Sequence, residues 1–182
     1  MKPAGVRRDI VNVQWLSEWV ASWSAERSLA YSTMHLHAMS LAEQVGMLQT
    51  LAILLTPAGS SYNALAVFLP AWSSVVVFPQ CGGCIPAADI QESCDGDSLY
   101  QRGCSVEEFG FDVVWPRPNL QKLWYVADLE QDTAVRVGHL DIIVHEHKLA
   151  PLLAEAYDFW RSGEPHVTES TRALAVTIQI CR

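Results

Sequence analysis

Leu51-Ala52-Ile53-Leu54-Leu55-Thr56-Pro57-Ala58-Gly59-Ser60-Ser61 is the stretch that decides the fold. Its first five residues are all apolar, which suits a strand buried on both faces, since a strand with one wet face would alternate with polar residues. The run Thr56 to Ser61 then reads as a small-residue turn, and Tyr62 to Leu69 as a short helix stopped by Pro70. Ser74 to Phe78, with Val75-Val76-Val77-Phe78, supplies a second buried strand. Upstream, Ser40-Leu41-Ala42-Glu43 is a capping box, in which the serine accepts from the third helical N–H and the glutamate reaches back to the cap N–H. The helix it opens presents Leu41, Val45 and Leu48 inward. Helix, buried strand, small-residue turn, helix, buried strand is the order of a parallel α/β sheet with right-handed crossovers.

Outward from that centre the alternation continues. Asn12 is placed to cap a helix whose apolar positions Trp15, Leu16, Trp19, Val20 and Trp23 recur every three or four residues, a stripe that reads as core. Tyr31 to Ala38 alternates as a strand does, with Met34, Leu36 and Ala38 on one side and His35 and His37 on the other. Asn119 to Asp128 reads as a helix through Leu120, Leu123, Trp124 and Ala127, and Leu140 to Val144 as a strand. Lys148 to Trp160 is a helix with Pro151 in its first turn, Leu149, Leu152, Leu153, Ala156 and Trp160 inward, and Gly163 beyond its end. Leu174, Val176, Ile178 and Ile180 alternate with Ala175, Thr177 and Gln179, so a strand closes the chain. Residues 79 to 118 form a Gly-, Cys-, Asp- and Pro-punctuated segment, long for a passive connection and suited to a lid, binding loop or insertion.

The 182 residues suit one α/β domain, 1–182, and half of them are hydrophobic, enough to build a core. The net charge of −8, with no basic cluster longer than Arg7-Arg8, argues against nucleic-acid binding. The longest apolar runs, Leu51 to Leu55 and Ala64 to Leu69, fall far short of the roughly 20 residues a bilayer crossing needs. No apolar segment of signal-peptide type follows the basic first residues, so the sequence by itself reads as cytoplasmic. The five cysteines leave an oxidising compartment open for a chain that is part of something longer.

Ligands of open parallel sheets bind outside the carboxyl ends of strands, where a helix N-terminus offers unpaired N–H groups and the positive end of a dipole. The Thr56 to Ser61 turn falls there. Gly59 permits close backbone approach, Ser60 and Ser61 add hydroxyl donors, and Thr56 at the strand end can reach the same ligand, features that suit a diphosphate. The same residues are also ordinary turn and cap formers. Cys81, Cys84, Cys94 and Cys104 admit structural disulfides, a tetrahedral zinc site or unlinked thiols. His145-Glu146-His147 and His35-Leu36-His37 lack a third ligand and read as solvent-facing strand histidines. Asp95-Gly96-Asp97 reads as a turn that can also hold a divalent ion.

Several of these segments follow one another as in a known family. Arg7-Arg8-Asp9-Ile10-Val11-Asn12, Met39-Ser40-Leu41-Ala42-Glu43-Gln44, the Leu51 to Leu55 strand with Ala58-Gly59-Ser60-Ser61-Tyr62-Asn63, and Phe68-Leu69-Pro70 through Phe78-Pro79 stand in the order of the R-R-x-(I/L)-x-N, M-S-F-x-E-Q, H-G-A-G-L-T-N and L-F-L-P to F-P segments. Leu140-Asp141-Ile142-Ile143-Val144 and the helix after it match the late strand and closing helix. In these respects the chain resembles the C-terminal, nucleotide-sugar-binding half of glycosyltransferase family 61, which holds EGF-domain O-GlcNAc transferases and plant xylosyl- and arabinosyltransferases. The resemblance implies a Rossmann-like, mostly parallel sheet flanked by helices, the single donor lobe of a GT-B-type transferase. It implies a UDP-sugar donor and a protein or glycan acceptor, no required cofactor, an N-terminal lobe or partner supplying the acceptor face, and a secretory-pathway setting for a fragment of such a protein. On it, Arg7 or Arg8 neutralises the diphosphate while Gly59, Ser60 and Ser61 donate from the turn. Thr56-Pro57 stands near the position of the family's histidine and Val77 at that of its acidic residue, and no catalytic base is identified. The lobe's customary first strand is absent, and Leu174 to Ile180 is the segment available to cover the edge this leaves. The alternative is a noncatalytic interaction module, or a degenerate transferase fragment, with the Cys-rich segment 79–118 as a structural clip.

Overall fold

A computed structural model describes residues 10–35, 38–57, 66–78, 119–125, 133–136, 139–163 and 175–179. Their elements are α1 (Val13–Ala25), β1 (Ala30–Met34), α2 (Leu41–Leu48), β2 (Leu51–Pro57), β3 (Ser73–Phe78), β4 (Leu120–Trp124), β5 (Thr133–Arg136), β6 (His139–Ile142), α3 (Glu146–Gly163) and β7 (Ala175–Gln179). Five strands form one sheet in the order β1-β7-β2-β3-β4, and each neighbouring pair is parallel. The expected α/β architecture with a parallel sheet and flanking helices is therefore present. β5 and β6 form a separate antiparallel pair.

Every residue of β2 and β3 is buried, as their uninterrupted apolar runs require. Burying each leucine of such a strand contributes roughly 1.5–3 kcal/mol. Strict alternation along β2 is broken by one extra residue between Leu51 and Ile53 relative to β7. The irregularity puts Leu51 and Leu54 on the face that carries α2, and Ala52, Ile53 and Leu55 on the face that carries α1 and α3. On β3, Val75 and Val77 join the α2 side, and Val76 and Phe78 the α1/α3 side.

The steps β1 to β2 and β2 to β3 cross the sheet in one direction, and α2 with Ala66 and Leu69 lies on one face. The return from β4 to β7 runs the other way, and its helix α3 lies on the opposite face. Opposite steps on opposite faces are what a single crossover hand demands. At the amino end of β3, Trp72 packs on Phe159 with ring centroids 5.4 Å apart. Its indole also fills the space a Cβ on Gly163 would need, so the last residue of α3 has to be glycine.

Several expectations are corrected. Leu120 to Trp124 is a strand paired with β3, where the spacing had suggested a helix over Asn119 to Asp128. Alternation explains it: Leu120 and Trp124 pack toward the α2 side, Leu123 and Tyr125 toward the α1/α3 side. Asn12 makes no side-chain cap; instead its Nδ2 donates to Val144 O at 2.7 Å and its Oδ1 accepts from Val144 N at 2.9 Å. Trp15 is 37% exposed and Leu41 67% exposed, so neither joins the core. β1 ends at Met34, short of the Ala38 expected. α3 begins two residues earlier than expected, so Pro151 sits past its first turn, and Gly163 is its final residue, not one beyond it. β6 overlaps the Leu140 to Val144 expectation, starting one residue earlier and ending at Ile142, but pairs with β5 outside the main sheet. β7 lies between β1 and β2, an interior position where edge coverage was expected. The capping box stands as read, with Glu43 N donating to Ser40 Oγ at 3.3 Å and Ser40 N to Glu43 Oε2 at 2.7 Å.

Candidate functional site

The carboxyl edge of the sheet is where the elements converge. β2 and β3 run side by side to their ends, with Pro57 opposite Phe78. The chain continues from the next strand through Tyr125, whose N–H donates to Val77 O at 3.0 Å. Tyr125 is fully buried, and its ring lies 5.6 Å from that of Phe78. Its hydroxyl accepts from His145 N–H at 3.0 Å and lies 3.4 Å from Ile143 O. That arrangement satisfies one of the amides at the mouth of α3, while His145 O accepts from the amides of Lys148 and Leu149.

Asn12 ties the start of α1 to the same place, since its amide side chain pairs in both directions with the backbone of Val144. Both α1 and α3 therefore open at this edge with their positive dipole ends toward it. The opposite ends of the elements meet elsewhere, with Gly163 against Trp72 ahead of β3.

Of the residues read as donor-binding, the structure describes Thr56. It lies inside β2, is fully buried, and its Oγ1 donates to Pro57 O at 3.1 Å. Gly59, Ser60 and Ser61 lie outside the described residues, as do Arg7 and Arg8. Cys81, Cys84, Cys94 and Cys104 and the Asp95-Gly96-Asp97 turn also lie outside. His145 and His147 stand at the start of α3 and not on a strand, with ring centroids 5.7 Å apart. Among the described residues no group of three or more His, Cys, Asp or Glu could hold a metal ion. Among them, too, no helix is long and apolar enough to cross a membrane.

No protein-family model, curated protein or solved structure matches this chain. The chemistry of the edge is therefore read from its own residues. A buried tyrosine organises it, two helix mouths face it, and the chain leaves β2 there at Pro57. Such a place can hold an anion wherever amides remain for it. Tyr125 went unnoticed as an organising residue because the helical spacing of Leu120, Leu123 and Trp124 masked the two-residue alternation of Leu123 with Tyr125.

Proposed function

We propose that this chain is a glycosyltransferase-like domain that binds a nucleotide-diphosphate sugar, UDP-linked, at the carboxyl end of β2. Gly59, Ser60 and Ser61 surround the diphosphate with Arg7 or Arg8, Thr56 sets the path of the chain into that turn, and the sugar passes to a protein or glycan acceptor. The observation that carries the reading is the position of β2. It is the middle strand of five, buried throughout and parallel to both neighbours, so the chain after Pro57 leaves from the edge where open α/β sheets take their ligands. The resemblance of the sequence to family 61 supports the nucleotide sugar as the ligand and a secretory setting.

In this reading Thr56 acts through the backbone. Its side chain is committed to Pro57 O, so it fixes the path of the chain into the turn, and the diphosphate takes its donors from Gly59, Ser60, Ser61 and the arginines. Catalysis by such a domain consists of holding the departing diphosphate in positive potential while a base activates the acceptor hydroxyl.

Calorimetry or saturation-transfer NMR with UDP and UDP-sugars tests the proposal. The wild-type chain is expected to bind at least one of them, and Gly59→Trp to lose it by blocking backbone approach. Failure of every nucleotide to bind would overturn the donor reading and favour the noncatalytic interaction module.

A further inference from the structure

Helices α1 and α3 leave between them an open groove of about 510 Å³, within the range of small-molecule sites. Its chemistry is neither apolar nor of one charge. The half-buried indole of Trp19 and the ring of Trp23 form the aromatic side, and Ala150, Pro151 and Ala154 form a low opposite wall. Glu26, Arg27, Glu146 and His147 stand around it. Trp15, itself partly exposed, stacks on Trp19 with centroids 6.0 Å apart and planes 17° from parallel and so steadies that indole.

Arg27 is already fixed there. Its guanidinium lies 4.1 Å from the centre of the Trp23 ring, donates to Trp23 O at 3.0 Å and to Glu26 Oε2 at 3.3 Å, and keeps 30% of its side chain exposed. A guanidinium has five N–H groups, and these two bonds leave others for a ligand at little further cost in ordering.

Three ligand classes compete for a groove of this kind, and the residues discriminate among them. An organic cation would compete with the chain's own guanidinium, which already holds the Trp23 face and a Glu26 carboxylate oxygen, and it would leave the hydrogen-bonding groups at the rim of the groove without partners. A purely apolar ligand would strip water from Glu26, Glu146 and His147 and return no hydrogen bonds. A pyranose meets both demands: the C–H face of the ring lies on an indole, and the hydroxyls at its rim reach planar carboxylate and guanidinium groups. We infer that the α1–α3 groove is a binding site for a neutral glycan, with Trp19 as the stacking platform and Arg27, Glu26 and Glu146 as hydroxyl partners. The groove includes the first turn of α3, which places its Glu146 end at the carboxyl edge of the sheet. The inference goes beyond the donor reading and stands without it, because none of these residues belongs to the β2 turn.

The test is a titration of the full chain with maltotriose, cellotriose, chitotriose and mannotriose, followed by tryptophan fluorescence and by 1H–15N NMR, with tetramethylammonium as the cation arm. At least one trisaccharide is expected to shift the amide signals of α1 and the first turns of α3 saturably. Trp19→Ala should weaken that binding about tenfold, the worth of one aromatic contact. Ala154→Arg fills the groove from an exposed helical position without touching the core, and should abolish binding in a folded chain. UDP binding, where it occurs, should survive both substitutions, so failure here is separable from failure of the donor reading. The inference is overturned if none of the four sugars shifts these signals, if tetramethylammonium shifts them as strongly, or if folded Ala154→Arg binds as well as wild type.

Discussion

Among the described residues, the two faces of the sheet are built to different depths. On one, α1 contributes Leu16, Val20 and Trp23 and α3 contributes Leu149, Leu153, Ala156 and Trp160 to a single buried cluster with Ile53, Leu55, Val76 and Phe78. On the other, α2 buries Leu48 alone, and its first residue, Leu41, faces water. The first face is held by side-chain burial, with aromatic contacts such as Trp23 edge-on to Tyr157 at 6.2 Å. The second relies more on local bonds, above all the reciprocal capping of Ser40 and Glu43. Stability is thus unevenly distributed, and the thinner face is the one whose helix opens at lower cost.

The largest effect expected from this contrast is that of Leu153→Ala. Removing a fully buried leucine from the deep face should cost about 2–5 kcal/mol, read as a shift of the denaturation midpoint. Leu48→Ala removes an equally buried side chain, but where one exposed-faced helix can settle inward, so its cost should be smaller. Equal or greater loss at Leu48 would break the comparison.

A middle-sized effect is expected at the junction of α1 and α3. Asn12→Ala removes both bonds to Val144 and should cost about 1–3 kcal/mol, since two backbone groups lose their partner. Amide exchange should quicken at Val144. A loss confined to the first turn of α1 would instead mean that Asn12 acts as a simple cap.

The smallest effect lies on the thin face and sharpens the contrast by staying local. Ser40→Ala should cost about 1 kcal/mol and speed amide exchange in Leu41–Leu48 while leaving α3 protected. The side-chain and backbone hydrogen bonds from Ser40 hold the Glu43 carboxyl below its ordinary value. A carboxyl lowered in the folded state stabilises above the unfolded value and loses that contribution as pH falls through the folded one. The protection of α2 should therefore weaken below the usual glutamate range, and Glu43→Gln should remove that acid dependence.

Much of the sheet was legible, and for identifiable reasons. The runs in β2 and β3 are too apolar for any half-wet strand, the Ser40–Glu43 spacing admits a cap of one kind, and the stripe through Leu149, Leu153, Ala156 and Trp160 keeps a helical period over about three turns. β4 was not legible, because Leu120, Leu123 and Trp124 satisfy helical spacing as well as strand alternation, and pairing with β3 decided between them. The candidate donor site was legible only as a position after β2, and of its residues Thr56 alone is among those described. The α1–α3 groove was not legible at all. Trp19 and Trp23 read as core from their spacing, and nothing in a single helix's sequence says that the neighbouring wall will be Ala150, Pro151 and Ala154.

Local periodicity was enough to mark β2 and β3 as buried strands and α1 and α3 as amphipathic helices, because burial leaves a period in the order of apolar residues. Only the tertiary structure decided that β7 inserts between β1 and β2, that one extra residue at Ala52 reassigns Leu51 and Leu54 to the α2 face, and that Asn12 binds Val144 in preference to its own helix. Each of these depends on partners more than twenty residues away in the chain. Local periodicity carries no information about which distant backbone groups will be free to pair.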